Sequence, residues 1–155
     1  MSQIEIGKKV PDWNAESNQG TLSLKDFAGK KLVLYFYPKD STPGCTTEAQ
    51  NFRDSIEEFS QLNTAVVGVS RDSLKSHDNF STKQDLPFAL ISDPDETLCE
   101  LFGVMKLKNM YGKQVRGIER STFVIDENGI LQQEWRGVKV PQHVETVLAF
   151  IRGLN

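Results

Sequence analysis

The feature that most constrains this chain is a cysteine at a predicted helix start, directly after a predicted buried strand. Residues 32–37 are apolar without alternation, which is typical of a strand covered on both faces. In the segment after this strand, Pro43 suits the first helical position and Thr42 suits the N-cap. Cys45 then falls in the first turn, where the helix dipole favours the thiolate, the nucleophilic form of the side chain. The sequence therefore predicts an activated cysteine at the carboxyl end of a buried strand.

The pattern after Cys45 predicts a long amphipathic helix. Apolar residues recur at helical spacing up to Phe59, so the helix is expected to run to about Ser60 with this stripe against the sheet. The hydroxyl of Thr42 is expected to accept a hydrogen bond from the second or third helical N–H, and therefore to lie near Cys45. Gly44 is expected to leave the approach to the sulfur open.

The rest of the chain alternates between strand and helix patterns, without a repeat or a low-complexity linker. The apolar run 65–69 predicts a second buried strand, parallel to the first because a helix connects them. Asn128 and Gly129 predict a tight turn between hairpin strands at 122–125 and 130–135. The other predicted elements are short strands at 20–22 and 88–91, a helical turn opened by a capping box at 23–26, helices at 73–83, 95–102 and 144–151, and a loop at 105–117.

The residues around Cys45 resemble the active-site pattern of the peroxiredoxins, which are thiol peroxidases. That pattern, Pro-x-x-x-Thr-x-x-Cys, is matched here by Pro38, Thr42 and Cys45, and Glu48 follows three residues later. Residues 35–46 are most similar to the bacterioferritin comigratory protein, or peroxiredoxin Q, branch of the family. The similarity continues at residues 10–12, 24–30 and 118–126.

The resemblance implies an α/β, thioredoxin-like fold, with a central mixed β-sheet and helices on both faces. The length of 155 residues predicts a single domain over residues 1–155. Cys45 would be the peroxidatic nucleophile, which attacks one peroxide oxygen and becomes a sulfenic acid. Thr42 would hold the peroxide through its hydroxyl, and Arg120 matches the arginine that peroxiredoxins place beside the reactive sulfur. The supporting residues would be Pro38, Pro43, Gly44 and Glu48, with Lys39 and Asp40 at the rim of the site.

Glu48 is expected to need a cationic partner. A carboxylate one helical turn after Cys45 would by itself disfavour the thiolate. Glu48 is therefore expected to pair with an arginine and to orient it. Arg120 and Arg53 are the two candidates.

The resolving cysteine that many members of this branch carry is missing at its usual place. The fifth residue after Cys45 is Gln50, and Cys99 is the only other cysteine in the sequence. Cys99 lies among apolar residues of another predicted helix, which favours a core residue over a resolving thiol. We expect a one-cysteine cycle in which thioredoxin, or glutathione with glutaredoxin, reduces the sulfenic acid. A resolving Cys99 stays open, but its disulfide would require local unfolding around Cys45.

Composition and charge argue against several other functions. A net charge of −3 over 155 residues, without a basic stripe, disfavours nucleic acid as a partner. No apolar stretch approaches the roughly 20 residues that span a bilayer, and residues 1–5 do not resemble a secretory signal. Two cysteines without a disulfide framework indicate a reducing, cytoplasmic compartment. The branch implies a monomer or a weak homodimer.

Neither a metal site nor a cofactor site is predicted. The two histidines, His77 and His143, and the two cysteines lack the clustered spacing that zinc ligands need. His77 lies in a polar stretch and His143 opens the last predicted helix. Both are therefore expected to be surface residues.

Three other functions stay open at this point. A thioredoxin-type disulfide oxidoreductase shares the implied fold, but it needs a Cys-x-x-Cys motif, and positions 42 and 48 are Thr42 and Glu48. A redox sensor would signal through mixed disulfides of oxidised Cys45. A holdase chaperone activity is neither supported nor excluded by any residue.

Overall fold

The computed structural model describes residues 3–154 of the chain. Strands and helices alternate along these residues, and a single 3₁₀ turn covers Leu24–Phe27. The strands are β1 Asn14–Ser17, β2 Gly20–Ser23, β3 Lys31–Phe36, β4 Thr64–Ser70, β5 Leu90–Ser92, β6 Met105–Met110, β7 Lys113–Ile118, β8 Ser121–Ile125 and β9 Leu131–Arg136. The helices are α1 Pro43–Asp54, α2 Ile56–Gln61, α3 Leu74–Gln84, α4 Thr97–Leu101 and α5 His143–Gly153.

Within residues 3–154, a seven-stranded sheet has the strand order β2-β1-β5-β4-β3-β8-β9. Strands β3, β4 and β5 run parallel, and β8 pairs with β3 in the antiparallel direction. The parallel pairing of β3 with β4 was predicted, because a helical connection is needed between parallel neighbours. All six residues of β3 are buried, since this strand lies between β4 and β8. The segment that leads from β3 to Cys45 therefore starts at the carboxyl end of an inner strand.

Alternate residues of β3 divide the core into two layers. Val33 and Tyr35 point to the face that α1, α2, α3 and α5 cover. Leu34 and Phe36 point to the opposite face, which α4 and the residues around Val10 cover. A mixed sheet with helices on both faces confirms the α/β architecture expected from the sequence.

The predicted long helix after Cys45 is in fact two helices, α1 and α2. Ser55 separates them in a non-helical conformation, with φ −106° and ψ 8°. Its N–H bonds to the carbonyl of Phe52, three residues back, and this tighter turn redirects the chain. Phe59 of α2 still packs in the same core layer, so the apolar spacing continues across the break and hides it in the sequence.

The predicted loop at 105–117 is wrong, because β6 and β7 form an antiparallel hairpin separate from the main sheet. Its turn residues, Tyr111 and Gly112, both have positive φ (54° and 79°), as in the type I′ turns that match strand twist. Tyr in place of the usual Asn, together with lysines along β6, obscured this hairpin. The short polar strand β1 is likewise not evident from its sequence.

The two local turn predictions are confirmed. Strands β8 and β9 pair across the turn at Asn128 and Gly129, where Gly129 has a φ of 79°. The backbone N–H of Ser23 donates to the carboxylate of Asp26 at 2.8 Å, which is one half of the predicted capping box.

Candidate active site

Cys45 lies in the first turn of α1, a short connection beyond the carboxyl end of β3. As predicted, Thr42 is the N-cap, with extended backbone, and Pro43 is the first helical residue. The Cys45 side chain is 2% exposed and packs in the core layer beneath α1. The first N–H groups of a helix have no partner within it, so they favour a negative charge at this position.

Arg120 brings a positive charge to the sulfur. It lies in the link between β7 and β8, and its Nη2 is 3.4 Å from Sγ of Cys45. Its Nη1 donates to Oε1 of Glu48 at 2.7 Å. One guanidinium therefore contacts the sulfur and the carboxylate at the same time, which the single ammonium of a lysine would not reproduce.

Gly44 leaves room for this guanidinium. A Cβ atom at Gly44 would lie 3.2 Å from Nη2 of Arg120, which is closer than carbon normally approaches. A side chain at this position would therefore press the guanidinium away from its place beside Cys45. The open space expected at Gly44 is the space that Arg120 uses.

Glu48 is fully buried beside Arg120. Burial raises the pKa of Glu48 to about 7, although the charge and the hydrogen bond of Arg120 act in the opposite direction. Its Oε2 has no hydrogen-bond partner among the described residues. The arginine expected beside Glu48 is thus Arg120. Arg53 instead donates to Asp54 and to the carbonyl of Gln84.

The hydroxyl of Thr42 does not cap α1, contrary to expectation. It donates to the carbonyl oxygen of Lys39 at 2.8 Å, and no helical N–H donates to it. The chain folds back between these residues because Ser41 adopts a left-handed conformation, with φ 64°. The lone pairs of the Thr42 oxygen are still able to accept a hydrogen bond.

The two prolines lie on either side of this turn. Pro38 directly follows Tyr37, whose N–H donates to the carbonyl of Val69 in β4, and it has no N–H of its own for a sheet hydrogen bond. Pro38 is half-buried, whereas Pro43 and Lys39 are exposed. Lys39 is therefore at the rim of the site, as expected.

The sequence matches the model of the AhpC/TSA family over residues 6–134. The chain belongs to this family. It is 51% identical to peroxiredoxin Bcp of Bacillus subtilis, with 98% of each chain aligned. A solved Cys-to-Ser variant of PrxQ from Xylella fastidiosa has a TM-score of 0.93 and 44% identity, over 99% of this chain and 98% of that one. The bacterioferritin comigratory protein of Xanthomonas campestris, whose structures concern alkyl peroxide reduction, has a TM-score of 0.89 and 49% identity, over 99% of this chain and 98% of that one.

These relatives confirm the branch predicted from the residues around Cys45, namely Bcp or peroxiredoxin Q. They also confirm the thioredoxin-like fold. The chain is therefore a peroxiredoxin, an antioxidant oxidoreductase that acts as a thiol-dependent peroxidase.

The described part of this peroxiredoxin shows neither a membrane span nor a metal cluster. None of the helices within residues 3–154 is long and apolar enough to cross a membrane. Over the same residues, no three His, Cys, Asp or Glu side chains come together as metal ligands would.

Asp40 and His77 of the peroxiredoxin are both buried, which corrects the expected rim and surface positions. Asp40 is 6% exposed and His77 is 0% exposed. Nδ1 of His77 lies 2.7 Å from Oδ2 of Asp40. The polar neighbours of His77 suggested exposure, but His77 precedes the buried Phe80 by three residues and shares its inward face of α3. This spacing is the signal that could have placed His77 inside.

His143 is also buried, which corrects the second expected surface histidine. It opens α5, and its Nε2 lies 2.8 Å from the hydroxyl of Thr122 on β8. Burial, followed by the charge of Arg120, lowers the pKa of His143 to about 4. His143 precedes Val147 by four residues, so it belongs to the apolar stripe of α5.

Cys99 lies on the opposite face of the sheet from Cys45. The two residues belong to the two different core layers, and Cys99 is 0% exposed. Burial, followed by a hydrogen bond with Asp93, raises the pKa of the Cys99 thiol well above its usual range. The backbone N–H of Cys99 also donates to this carboxylate, at 2.8 Å. These contacts are those of a core residue, the interpretation favoured from the sequence.

Proposed function

We propose that Cys45 is the peroxidatic nucleophile of a one-cysteine cycle that an external thiol completes. The observation that carries this proposal is the 3.4 Å contact between Nη2 of Arg120 and Sγ of Cys45, at the start of α1. A guanidinium and a helix N-terminus both favour the thiolate over the thiol. The two effects converge on the sulfur of Cys45. Cys99 also lies in the first turn of a helix, the short α4, but burial and Asp93 raise the pKa of its thiol and so favour the thiol form.

In the oxidative half of the cycle, the Cys45 thiolate attacks one oxygen of the peroxide. A sulfur–oxygen bond forms while the oxygen–oxygen bond breaks, and the sulfur supplies the electron pair. The departing oxygen takes up a proton and leaves as water or as an alcohol. The sulfur is left as a sulfenic acid.

Three kinds of group would hold the peroxide. Nη2 of Arg120 and the free N–H groups of the first turn of α1 would donate to its oxygens. The Thr42 hydroxyl uses its own hydrogen on Lys39, so toward a peroxide it would act as an acceptor. Thr42 and Arg120 would thereby orient the two ends of the peroxide. Pro38 and Pro43 would fix the backbone of this turn.

In the reductive half, an external thiol attacks the sulfenic sulfur, forms a mixed disulfide and releases water. A second thiol then frees Cys45. Cys99 is unsuited to this step because the sheet separates it from Cys45, and a disulfide needs Cα atoms within about 7 Å. Because Cys45 is 2% exposed, a protein thiol would reach it only after the first turn of α1 opens. Thioredoxin, or glutathione with glutaredoxin, would supply the thiol.

We propose hydrogen peroxide and organic hydroperoxides as the substrates. The support for organic hydroperoxides is the similarity to the Xanthomonas campestris protein, whose structures concern alkyl peroxide reduction. A small peroxide also suits a sulfur that is almost closed to solvent.

Intact mass after stoichiometric hydrogen peroxide tests the cycle, with the wild type compared with Cys45→Ser and Cys99→Ser. One added oxygen is expected on the wild type and on Cys99→Ser, but not on Cys45→Ser. Adding either reductant system should then restore the starting mass and support steady turnover of Cys99→Ser at the wild-type rate.

Two outcomes would overturn parts of this proposal. Loss of two hydrogens in the wild type alone would show an internal disulfide between Cys45 and Cys99, and the one-cysteine cycle would be wrong. An added oxygen on Cys45→Ser but not on Cys99→Ser would move the nucleophile to Cys99.

A further inference from the structure

A buried polar cluster connects the turn before Cys45 to helix α3. Asp40 lies in the connection between β3 and α1, five residues before Cys45. Its Oδ2 lies 2.7 Å from Nδ1 of His77 and accepts the hydroxyl of Ser76 at 2.8 Å. Its Oδ1 accepts the hydroxyl of Tyr37 at 2.5 Å. Three side chains thus converge on one carboxylate.

Each ring nitrogen of His77 lies within hydrogen-bond distance of an oxygen atom. Nε2 lies 2.8 Å from the carbonyl oxygen of Ile91 on β5, and a carbonyl can only accept. Nδ1 faces the carboxylate of Asp40, which also accepts hydrogen bonds from two hydroxyl groups. Burial raises the pKa of Asp40, but the hydrogen bonds from His77 and Tyr37 outweigh it and hold this pKa below its usual range. His77 therefore links the carboxylate of Asp40 to the backbone of β5.

The backbone of the same turn is held as well. The N–H of Asp40 donates to Oδ2 of Asp72 at 2.8 Å, and the hydroxyl of Ser70 donates to the same oxygen at 2.6 Å. Both of these partners lie at or just beyond the carboxyl end of β4. The turn is thus anchored to α3 through its side chain and to the end of β4 through its backbone.

A strained residue, Ser41, connects the anchored Asp40 to the N-cap of α1. Ser41 has a φ of 64°, a left-handed conformation that a residue with a Cβ adopts only when its surroundings hold it there. This conformation brings Thr42 back onto the carbonyl of Lys39. The position of the Thr42 hydroxyl therefore depends on the contacts that hold Asp40.

We infer that His77 is a positioning residue of the peroxidase site, which acts through Asp40 to hold the turn 39–42 that places Thr42 and the first turn of α1. His77 does not contact the sulfur, and the inference rests on the proposed role of Cys45. A buried contact between His77 and Asp40 is poor evidence for a role in stability alone, because the loss of hydration offsets most of the attraction between such groups. The contact of His77 with Asp40 instead fixes the conformation of the turn 39–42.

Two substitutions at His77 separate its two hydrogen bonds. The amide nitrogen of Asn in His77→Asn can take the place of Nδ1 and still donate to Asp40. The amide nitrogen of Gln in His77→Gln can take the place of Nε2 and donate to Ile91 only. The measurement is the bimolecular rate constant for oxidation of Cys45 by hydrogen peroxide, with the free energy of unfolding measured in parallel. We expect at least a tenfold loss of rate in His77→Gln, and His77→Asn should recover most of it.

Leu131→Ala is the control for lost stability, because Leu131 is fully buried in the core layer on the opposite face. It should lower the free energy of unfolding and leave the rate constant unchanged. Tyr37→Phe provides a second variant if the His77 variants do not fold, since it removes only the hydroxyl that bonds Asp40. It should also slow the oxidation of Cys45.

Equal rate constants for His77→Asn and His77→Gln would overturn the inference, and so would a wild-type rate in Tyr37→Phe. The proposed function is tested apart from it by Cys45→Ser in the same assay. If Cys45→Ser still consumes peroxide, the nucleophile has been wrongly assigned. If Cys45→Ser is inactive while His77→Gln reacts at the wild-type rate, only the positioning role is wrong.

Discussion

At the scale of the residue, Arg120 controls the charge that surrounds Cys45. Its guanidinium is shared between the sulfur, at 3.4 Å, and Glu48, at 2.7 Å. The space for it exists because residue 44 is Gly44, which has no side chain. Residues next to Arg120 in the chain carry no signal of this contact. It was expected only because of the resemblance to peroxiredoxins.

Replacing Arg120 with Met should slow the oxidation of Cys45 by hydrogen peroxide by about 10²–10³-fold, the loss typical of removing one preorganised donor from a reacting centre. The reason is that both the thiolate and the departing oxygen lose a fixed positive charge. Stopped-flow kinetics of the reduced protein measure the rate constant.

Arg53→Met is the matched control for that prediction. Arg53 lies on α1, the helix of Cys45, but its guanidinium bonds to the carbonyl of Gln84 rather than to the sulfur. Its replacement should leave the rate constant almost unchanged. An equal loss in the two variants would show that the effect of Arg120 does not depend on its contact with the sulfur.

At the scale of the element, ion pairs connect the hairpin β6–β7 to α4 and to the end of β4. Glu96, which precedes α4, accepts from Arg71 at 3.1 Å and also from Arg116 of β7. Arg116 contacts Glu100 of α4 as well. A two-stranded hairpin is marginal by itself in water, so this cluster helps to hold β6–β7 against the rest of the molecule.

Glu96→Gln should therefore accelerate amide hydrogen exchange in β6 and β7 several-fold, because the neutral amide no longer attracts the charges of Arg71 and Arg116. The rate constant of Cys45 should not change, since Arg120 is still held by Glu48. Glu100→Gln is the control, because it weakens a single exposed ion pair. Equal exchange rates in wild type and Glu96→Gln would show that the hairpin is held by packing instead.

Elements were predicted well where local signals were strong, and missed where contacts with other parts of the chain decided. The start of α1 and the turn at Gly129 have local signals in Pro43 and in the Asn-Gly pair. The break at Ser55 has no local signal, because the apolar spacing of the helix continues through it. The hairpin β6–β7 has none either, because lysines interrupt the strand pattern of β6.

At the scale of the whole molecule, two buried groups near Arg120 respond to pH in opposite senses. Burial raises the pKa of Glu48 from 4.5 to about 7, so the stability that its proton contributes is lost as the pH rises between these values. Burial lowers the pKa of His143 from 6.5 to about 4, so the stability of its neutral form is lost as the pH falls between these values.

Between pH 4.5 and 6.5 these two effects should largely cancel in the wild type. In Glu48→Gln the effect of His143 remains, and the free energy of unfolding should rise with pH by about 2 kcal/mol over this range. In His143→Gln the effect of Glu48 remains, and the free energy should fall by a similar amount. Urea unfolding at several pH values measures both slopes. Slopes of the same sign in the two variants would contradict the opposed pKa shifts.

Some features of the whole molecule stay predictions. These are a single domain over residues 1–155, a cytoplasmic compartment, and a monomer or weak homodimer. Size-exclusion chromatography with light scattering measures the last of them directly.

The sequence by itself determined the chemistry of the segment that carries Cys45, because a helix start and its dipole depend on residues that are neighbours in the chain. It also determined the buried strand before that segment, through an uninterrupted apolar run. Only the tertiary structure decided which charges meet. The contact of Arg120 with Glu48 and that of Asp40 with His77 both join residues far apart in the chain. The folded sheet likewise separates Cys45 from Cys99. Such contacts depend on which side chains the folded core encloses, and a local pattern does not contain that information.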